Sequence, residues 1–569
     1  MTTIKSASPQ HTKFVTITLG IIATVYFASI FTRQIVNDDY MAIYTAWLKG
    51  LGQIGGKDFN LDSYSIIMDL LVPIVMIFPD GLGSLYAARL IYFILIGIVA
   101  FLIYRLGTLL FNARVGIWSV ILVLITTPMV ARGLDLRPDM IICIGWLGLF
   151  TLFIDKDNFF KPAKLLLASF LLILVTACKF KAIIVAGPIG LLFLYHGATD
   201  PNKKLQDTLK SVLIILTSCI LFLSLYFALV YFTDDINIFL TVNQSLLSGI
   251  SNGSVSDGSA RLKVLVEAVI LNPIFILLVL FGLIRWFKNR SHVSQQHRVL
   301  VFMLLLCAVL SVALNPAYFA YNLTILFPML GIFAGLQMVA LQDRWKESPL
   351  SIGKRKAALI TIGILLLLLK GPLVIRACSL MFVSHQMALQ DFIEHHINED
   401  EAIFGFEGLG LFRPSTYHWR TSSTLNQYQD RYSLKEEMMA AKPVLVVTSY
   451  RVPDWLIPED QQFLLEHYQE IGARLMTPGF AMKKANQVAT GYLLVDSLYL
   501  ITNSEKKSCR IDDKSVPHGT KLNLPAQTHY LHAIQGLCTV KKYYSEAALQ
   551  KLVDSNPLDL PYLVGPTTI

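Results

Sequence analysis

The sequence predicts an α-helical polytopic membrane protein with a C-terminal extramembrane region, part α/β and part small and β-rich. Three observations predict this. The 569-residue chain is 54% hydrophobic and only 15% charged, whereas soluble globular domains carry about 25% charged residues. Apolar runs of spanning length recur about eleven times. After about residue 385 the composition turns mixed, aromatic and rich in turn residues.

The runs lie near 14–31, 85–104, 115–131, 138–154, 164–178, 180–196, 209–232, 264–285, 299–315, 321–341 and 357–379. The stretch "SIIMDLLVPIVMIFP" at 65–79 is short and interrupted by Pro, so it reads as an interfacial or re-entrant helix. The N-terminus "MTTIKSASPQHTK" is basic, but no small-residue cleavage site follows the first run, which predicts a retained span. A formal charge of +9 would suit a nucleic-acid partner. However, Lys and Arg sit mostly in short links between apolar runs, where they orient spans, so the expected partner is the membrane and not nucleic acid. Basic links such as "RWFKNRSHVSQQHR" alternate with acidic or mixed ones, which places the N-terminus in the cytoplasm and, with an odd number of spans, the C-terminus outside.

We therefore divide the chain into a transmembrane domain at 1–384 with an external loop at 32–84, an α/β domain at 385–489 and a β-rich domain at 490–569. In the second, "KPVLVVTSYRVPDWL" contains a β-branched strand and "PEDQQFLLEHYQEIGARL" opens a helix with Pro and acids. In the third, "GYLLVDSLYLITN" and "HGTKLNLPAQTHYLHAI" alternate apolar and polar residues. Cys143, Cys178, Cys219, Cys307 and Cys378 lie in or beside apolar runs and read as small core residues. Without CxxC or Cys/His spacing, no zinc site is expected. Cys509 and Cys538 fall in the outer region, where they are either a disulfide pair or two thiols.

Three charged groups belong to the predicted external side. Asp38 and Asp39 follow the first run directly; neighbouring carboxylates repel and require cations, donors or water. "ARGLDLRPDM" places Arg132, Asp135, Arg137 and Asp139 at the mouth of a span. "ACKFKA" places Lys179 and Lys181 between two apolar runs with almost no loop. A charge at that depth costs roughly 2.5–3.5 kcal/mol on insertion scales, so it is usually paired or faces a cavity. Taken singly, Arg132 and Arg137 read rather as interfacial anchors, Lys179 and Lys181 as snorkelling side chains, and the acid pair as part of a solvated loop. Together, clustered cations suit a phosphate and a carboxylate suits deprotonation of a hydroxyl nucleophile. At a lipid–water boundary this points to a lipid-linked phosphate as one substrate and an alcohol as the other.

The order of these elements resembles the GT-C glycosyltransferases, in particular the protein O-mannosyltransferases and lipid A aminoarabinose transferases. "NDDYMAIYTAWLKG" resembles the acid motif after their first span, "SLYAARLIYFIL" a helix start with Arg, and "LRPDM" an Arg/Asp motif opening a later span. "ACKFKAIIVAGPIGLLF" resembles a Lys-containing helix junction, and "NPAYFAYNLTILFPMLGIFAG" an aromatic-to-Pro pattern before a late span. The similarity covers roughly the first 340 residues.

The resemblance implies sugar transfer, with inversion, from a polyprenyl-phosphate donor to a hydroxyl or phosphate of a lipid, glycan or protein acceptor on the periplasmic face of a bacterial inner membrane. It further implies Asp38 or Asp39 as general base, with Asp38 favoured. Arg137 and Lys179 hold the leaving phosphate, with Lys181 and Arg132 in support; Asp139, Asp135, Tyr318 and Tyr321 orient them. No cofactor is required, although a divalent metal is compatible. The sequence departs from the aminoarabinose transferases in lacking Lys-Pro-Pro in the first external loop, where it has "NLDSYSIIMDLLVP", which leaves the acceptor open. The alternatives are a transporter or flippase of lipid-linked sugars and an envelope glycan-binding protein, the latter suited by the aromatic stretches "TYHWR" and "YRVPDW".

Overall fold

The computed structural model describes residues 9–55, 57–59, 66–79, 81–154, 161–199, 205–237, 258–289, 294–313, 320–347, 380–405, 410–415, 434–447, 456–472, 475–485, 487–533, 535–545, 547 and 549. The run at 357–379 and Tyr318 lie outside them. The chain divides into two compact units. One comprises Met1–Arg33, Ser63–Asp69 and Tyr86–Ser379, the other Gln34–Asp62, Leu70–Leu85 and Leu380–Ile569.

The first unit is helical. Among the described residues, five helices are long and apolar enough to cross a membrane: Lys13–Thr32, Leu82–Leu110, Gln206–Thr233, Gln295–Ala313 and Leu323–Trp345. Leu262–Leu271 and Pro273–Asn289 form a further pair bent by 98°, where Asn272 and Pro273 interrupt the helix. Shorter apolar helices include Ala113–Leu124, Asp139–Leu152 and Pro162–Cys178. The protein is an integral membrane protein, and its surface explains why. Leu216, Ile220, Leu221 and Leu225 of the helix Leu205–Thr233 are each more than half exposed, a pattern stable against lipid and unfavourable in water.

The helix Leu323–Glu347 is the packing centre of this unit. Small residues let its backbone approach its neighbours. A Cβ at Gly335 would stand 2.6 Å from the carbonyl oxygen of Val115, and one at Gly282 would stand 2.0 Å from that of Phe333. Close approach replaces the hydrophobic drive that lipid removes. At one end, Arg114 donates to both carboxylate oxygens of Asp343 (2.8 and 3.3 Å) and to Gln342 (2.8 Å), locking the helices Ala113–Leu124 and Leu323–Glu347 in register.

The second unit contains the helix Asn37–Gly50, the Pro73-containing helix Ile66–Ile77 in part, and the C-terminal region. Its strands are β1 (Ile403–Gly405), β2 (Leu445–Val447), β3 (Tyr468–Gly472), β4 (Leu475–Ala481), β5 (Val488–Tyr492), β6 (Ser497–Asn503), β7 (Cys509–Ile511), β8 (Lys514–Val516), β9 (Thr520–Leu524), β10 (Thr528–His532) and β11 (Cys538–Lys542). A seven-stranded sheet has the order β1-β2-β4-β11-β6-β9, with β3 also on β4; a four-stranded sheet has the order β5-β10-β7-β8. β1 and β2 are parallel, and the helix Leu434–Ala441 lies in the crossover between them.

The larger sheet continues across residue 490, because β4 pairs antiparallel with β11 (Phe480 opposite Val540). Two hydrophobic cores lie along it. One gathers Phe404, Met438, Val446, Phe463 and Tyr468; the other gathers Phe480, Tyr499, Ile501, Leu531 and Val540. Leu493 packs in the second core and its neighbour Leu494 in the first, as alternation along an extended segment requires. Cys509 and Cys538 are joined by a disulfide, with Cα atoms 6.0 Å apart, inside the second core.

Candidate active site

The cationic residues are best built from the first helix, Pro9–Thr32, whose last carbonyls have no partner within the helix. Arg89, fully buried, caps them: its Nη1 donates to the carbonyl oxygens of Arg33 (2.9 Å) and Ile30 (3.3 Å). The Arg33 side chain, 5% exposed, turns the other way and donates to the Asp135 carboxylate and to the carbonyl of Ala131. Arg132 adds a longer contact to the other Asp135 oxygen, at 3.5 Å. Asp135 is thus held between two guanidinium groups, which offsets the cost of its burial.

Two residues further along, the motif behaves differently. Asp139 opens the helix Asp139–Leu152, where a carboxylate is favoured by the helix dipole. Its Oδ2 accepts from Arg137 Nε at 3.2 Å. Its Oδ1, although buried, has no hydrogen-bond partner among the described residues. The Arg137 guanidinium lies 3.5 Å from the centroid of the Tyr321 ring, and Lys179 Nζ lies 4.9 Å from that same centroid. Tyr92 fixes the Arg137 backbone by donating its hydroxyl to the Arg137 carbonyl oxygen at 2.7 Å. Lys179 ends the helix Pro162–Cys178 in an extended conformation (φ −164°, ψ 116°), and a 3₁₀ segment, Phe180–Val185, follows. Trp146 donates to the carbonyl of Ala182 at 3.1 Å, tying that segment to the helix of Asp139.

Arg137, Asp139, Lys179 and Tyr321 therefore converge, with two cations at one aromatic ring and a carboxylate on Arg137. Cation–π contact holds such charges in place without neutralising them, so the cluster keeps the capacity to bind an anion. Arg132 and Arg33 instead share the Asp135 carboxylate, one on each oxygen. The Lys181 backbone lies in the 3₁₀ segment.

In the other unit, Asp38 and Asp39 occupy the first turn of the helix Asn37–Gly50. Asp39 is fully buried and Asp38 half-buried. Asp39 Oδ2 faces the Val36 N–H at 3.5 Å, so this carboxylate helps to start the helix. Gln386 then anchors the entry to the helix: its amide accepts from Ile35 N–H and donates to the Ile35 carbonyl, each at 2.7 Å. At the far end, Trp47 packs edge-on against Phe412 (centroids 5.8 Å apart) and the Tyr44 hydroxyl donates to the Arg413 carbonyl at 3.0 Å. The acid pair thus stands on a helix pinned at both ends.

Sequence reasoning gave no role to Arg33 or Tyr92, and noted Arg89 only as the Arg of the helix start "SLYAARLIYFIL". For Arg89 a signal was available, since a charge within an apolar run is rarely idle. Arg33 read only as a positive flank of the first span, and Tyr92 reads as an ordinary apolar position. Among the described residues no group of three or more His, Cys, Asp or Glu side chains is placed to hold a metal ion.

No protein-family model matches the sequence, and no curated protein matches it. Among solved structures, ArnT from Cupriavidus metallidurans bound to undecaprenyl phosphate matches at a TM-score of 0.51, covering 91% of this chain and 98% of that one at 12% identity. This chain has the GT-C fold. Oligosaccharyltransferase from Archaeoglobus fulgidus, tethered to an acceptor peptide, matches at 0.46 with 11% identity, covering 77% of this chain and 69% of that one. Arabinosyltransferase EmbB from Mycobacterium smegmatis matches at 0.43 with 12% identity, covering 94% and 65%. Those two scores are too low to argue from. At such identities the GT-C fold transfers, and residue roles have to be argued from the side chains.

Proposed function

We propose that the chain is a membrane glycosyltransferase that moves a sugar from a polyprenyl-phosphate donor to an acceptor hydroxyl, with inversion. The observation that carries this reading is the cluster of Arg137 and Lys179 on the Tyr321 ring, beside an Asp139 oxygen without a partner, in a GT-C fold. The solved ArnT of that fold binds undecaprenyl phosphate, which is the class of donor the cluster suits.

In this reading Asp38 takes the proton of the acceptor hydroxyl. The resulting oxygen attacks the anomeric carbon as its bond to the phosphate oxygen breaks, and polyprenyl phosphate leaves. Asp38 is preferred to Asp39 because Asp39 is fully buried and faces the Val36 N–H. Arg137 and Lys179 take the charge that grows on the leaving phosphate. Fixed cations do this without reorganising, and a single such contact is worth about 10²–10³ in rate. Asp139 aims Arg137 through Oδ2 and offers Oδ1 to a hydroxyl of the donor sugar. Lys181 is assigned a supporting role at the phosphate. Arg132 is not, because Asp135 already engages it. A divalent metal is compatible with the scheme but has no step in it. The reading places the protein in a bacterial inner membrane with the N-terminus cytoplasmic and the C-terminal region periplasmic.

The test is release of polyprenyl phosphate from a panel of polyprenyl-phosphate sugars by the purified protein in nanodiscs. The reading predicts turnover of at least one donor, abolished in Asp38→Asn. Binding of donors without release of polyprenyl phosphate from any of them would favour a flippase or a binding protein.

A further inference from the structure

The acid-pair helix leads to a cleft that the reaction scheme does not use. Its cavity of about 680 Å³ is lined by the end of the helix Leu380–His396, the turn that follows, and Leu411, Phe412 and Arg413. The floor is apolar: Ile393, Leu411 and Phe412. The rim is polar and exposed: Glu394, His395, His396, Asn398 and Glu399.

The charge of the cleft is set by where its cation goes. Arg413 is buried, and its guanidinium donates to the carbonyls of Ile393, Ile397 and Phe412 at 2.9–3.4 Å. It caps a helix C-terminus and is spent there. Neither Glu394 nor Glu399 is in an ion pair among the described residues, and both carboxylates are acceptors only. An anion is therefore repelled, whereas a group rich in O–H or N–H donors is matched.

The backbone is also strained here. Phe412 adopts φ +59°, an outlier for a bulky side chain that persists only where its surroundings hold it. The holders are Trp47 against its ring and Arg413 on its carbonyl. Trp47 lies nine residues beyond Asp38 on a single helix, about 13 Å along its axis. A substrate reaching from that carboxylate to the Phe412 floor is longer than one sugar.

We propose that this cleft holds the non-reacting part of an oligosaccharide acceptor whose sugars are neutral or carry amines, and that it rejects phosphorylated or uronate sugars. The C–H face of a sugar meets the small exposed edge of Phe412 while its hydroxyls or ammonium groups donate to Glu394 and Glu399. This deepens the transferase reading and rests on it for the word acceptor; sugar binding by the cleft requires no transfer, so the two fail separately.

The experiment titrates the full-length protein in nanodiscs, without any donor, with chitotriose, its fully deacetylated form and trigalacturonate, read by saturation-transfer NMR. The expected result is saturable binding of the first two and none of the third. The Glu394→Lys/Glu399→Lys double variant, altered only at exposed positions, should bind the deacetylated trimer about tenfold more weakly and gain trigalacturonate. Equal binding of trigalacturonate by the unmodified protein, unchanged binding in the variant, or binding of trilysine with none of the three sugars would each overturn the proposal.

Discussion

Two ion clusters built on acids four positions apart in one motif illustrate how the same letters serve different ends. In "ARGLDLRPD", Asp135 sits between Arg33 and Arg132, with both oxygens engaged. Asp139 meets one guanidinium nitrogen and keeps an oxygen without a hydrogen-bond partner, while the cations around it rest on an aromatic ring. The first cluster has its carboxylate engaged through both oxygens and holds helices together. The second keeps net positive charge at a place that burial makes expensive. A protein sustains that cost where a ligand offsets it.

The comparison breaks most severely at Arg33. Arg33→Met leaves the buried Asp135 carboxylate without its Arg33 partner, and loss of a buried partner costs about 3–5 kcal/mol. The expected outcome is a protein that fails to survive detergent extraction as a monodisperse peak. The second expected effect is on catalysis. Arg137→Ala lowers polyprenyl-phosphate release by about 10²–10³ per folded protein, measured at saturating acceptor. A smaller effect belongs to Tyr321. Tyr321→Leu removes both cation–π contacts and lowers donor affinity by about five- to thirtyfold, but Tyr321→Phe, which keeps the ring, has little effect.

The smallest effect lies in the C-terminal region and concerns pH. Burial, with the carboxylate of Asp460 nearby, pushes Glu437 up to about 8, and burial also raises Asp460. Folding thus favours the protonated form of Glu437. The associated stability is fully present below the unfolded value of about 4.3 and is lost as pH rises to about 8. Thermal unfolding of the protein should shift downward between pH 5 and pH 8, and Glu437→Gln should flatten that slope. A midpoint that rises over that range would contradict the placement of this carboxyl.

Much of this was legible in the sequence, for physical reasons. Lipid demands long apolar runs, so the helices Leu82–Leu110 and Leu205–Thr233 announce themselves. "LRPD", "CKFK" and Tyr321 were each readable as chemistry at a membrane mouth, and the structure brings Arg137, Asp139, Lys179 and Tyr321 together. What was illegible is pairing. Nothing in "FTRQIV" says that Arg33 reaches Asp135, a contact 102 residues away in sequence. Nor does the pattern around residue 490 show that β4 and β11 share a sheet, because register is decided by the partner strand. Gln386 and Phe412 fell in stretches that read as undistinguished, and their roles depend on contacts 351 and 365 residues away in sequence, to Ile35 and Trp47.

The central claim is that the Tyr321-based cluster, and not the Asp135-based one, holds a lipid-linked phosphate. The most direct measurement is binding of undecaprenyl phosphate to the purified protein in nanodiscs, comparing Arg137→Ala and Lys179→Ala with Arg132→Ala. The account predicts at least about a tenfold loss of affinity in each of the first two and none in the third. Equal loss in all three, or loss in Arg132→Ala alone, would contradict it.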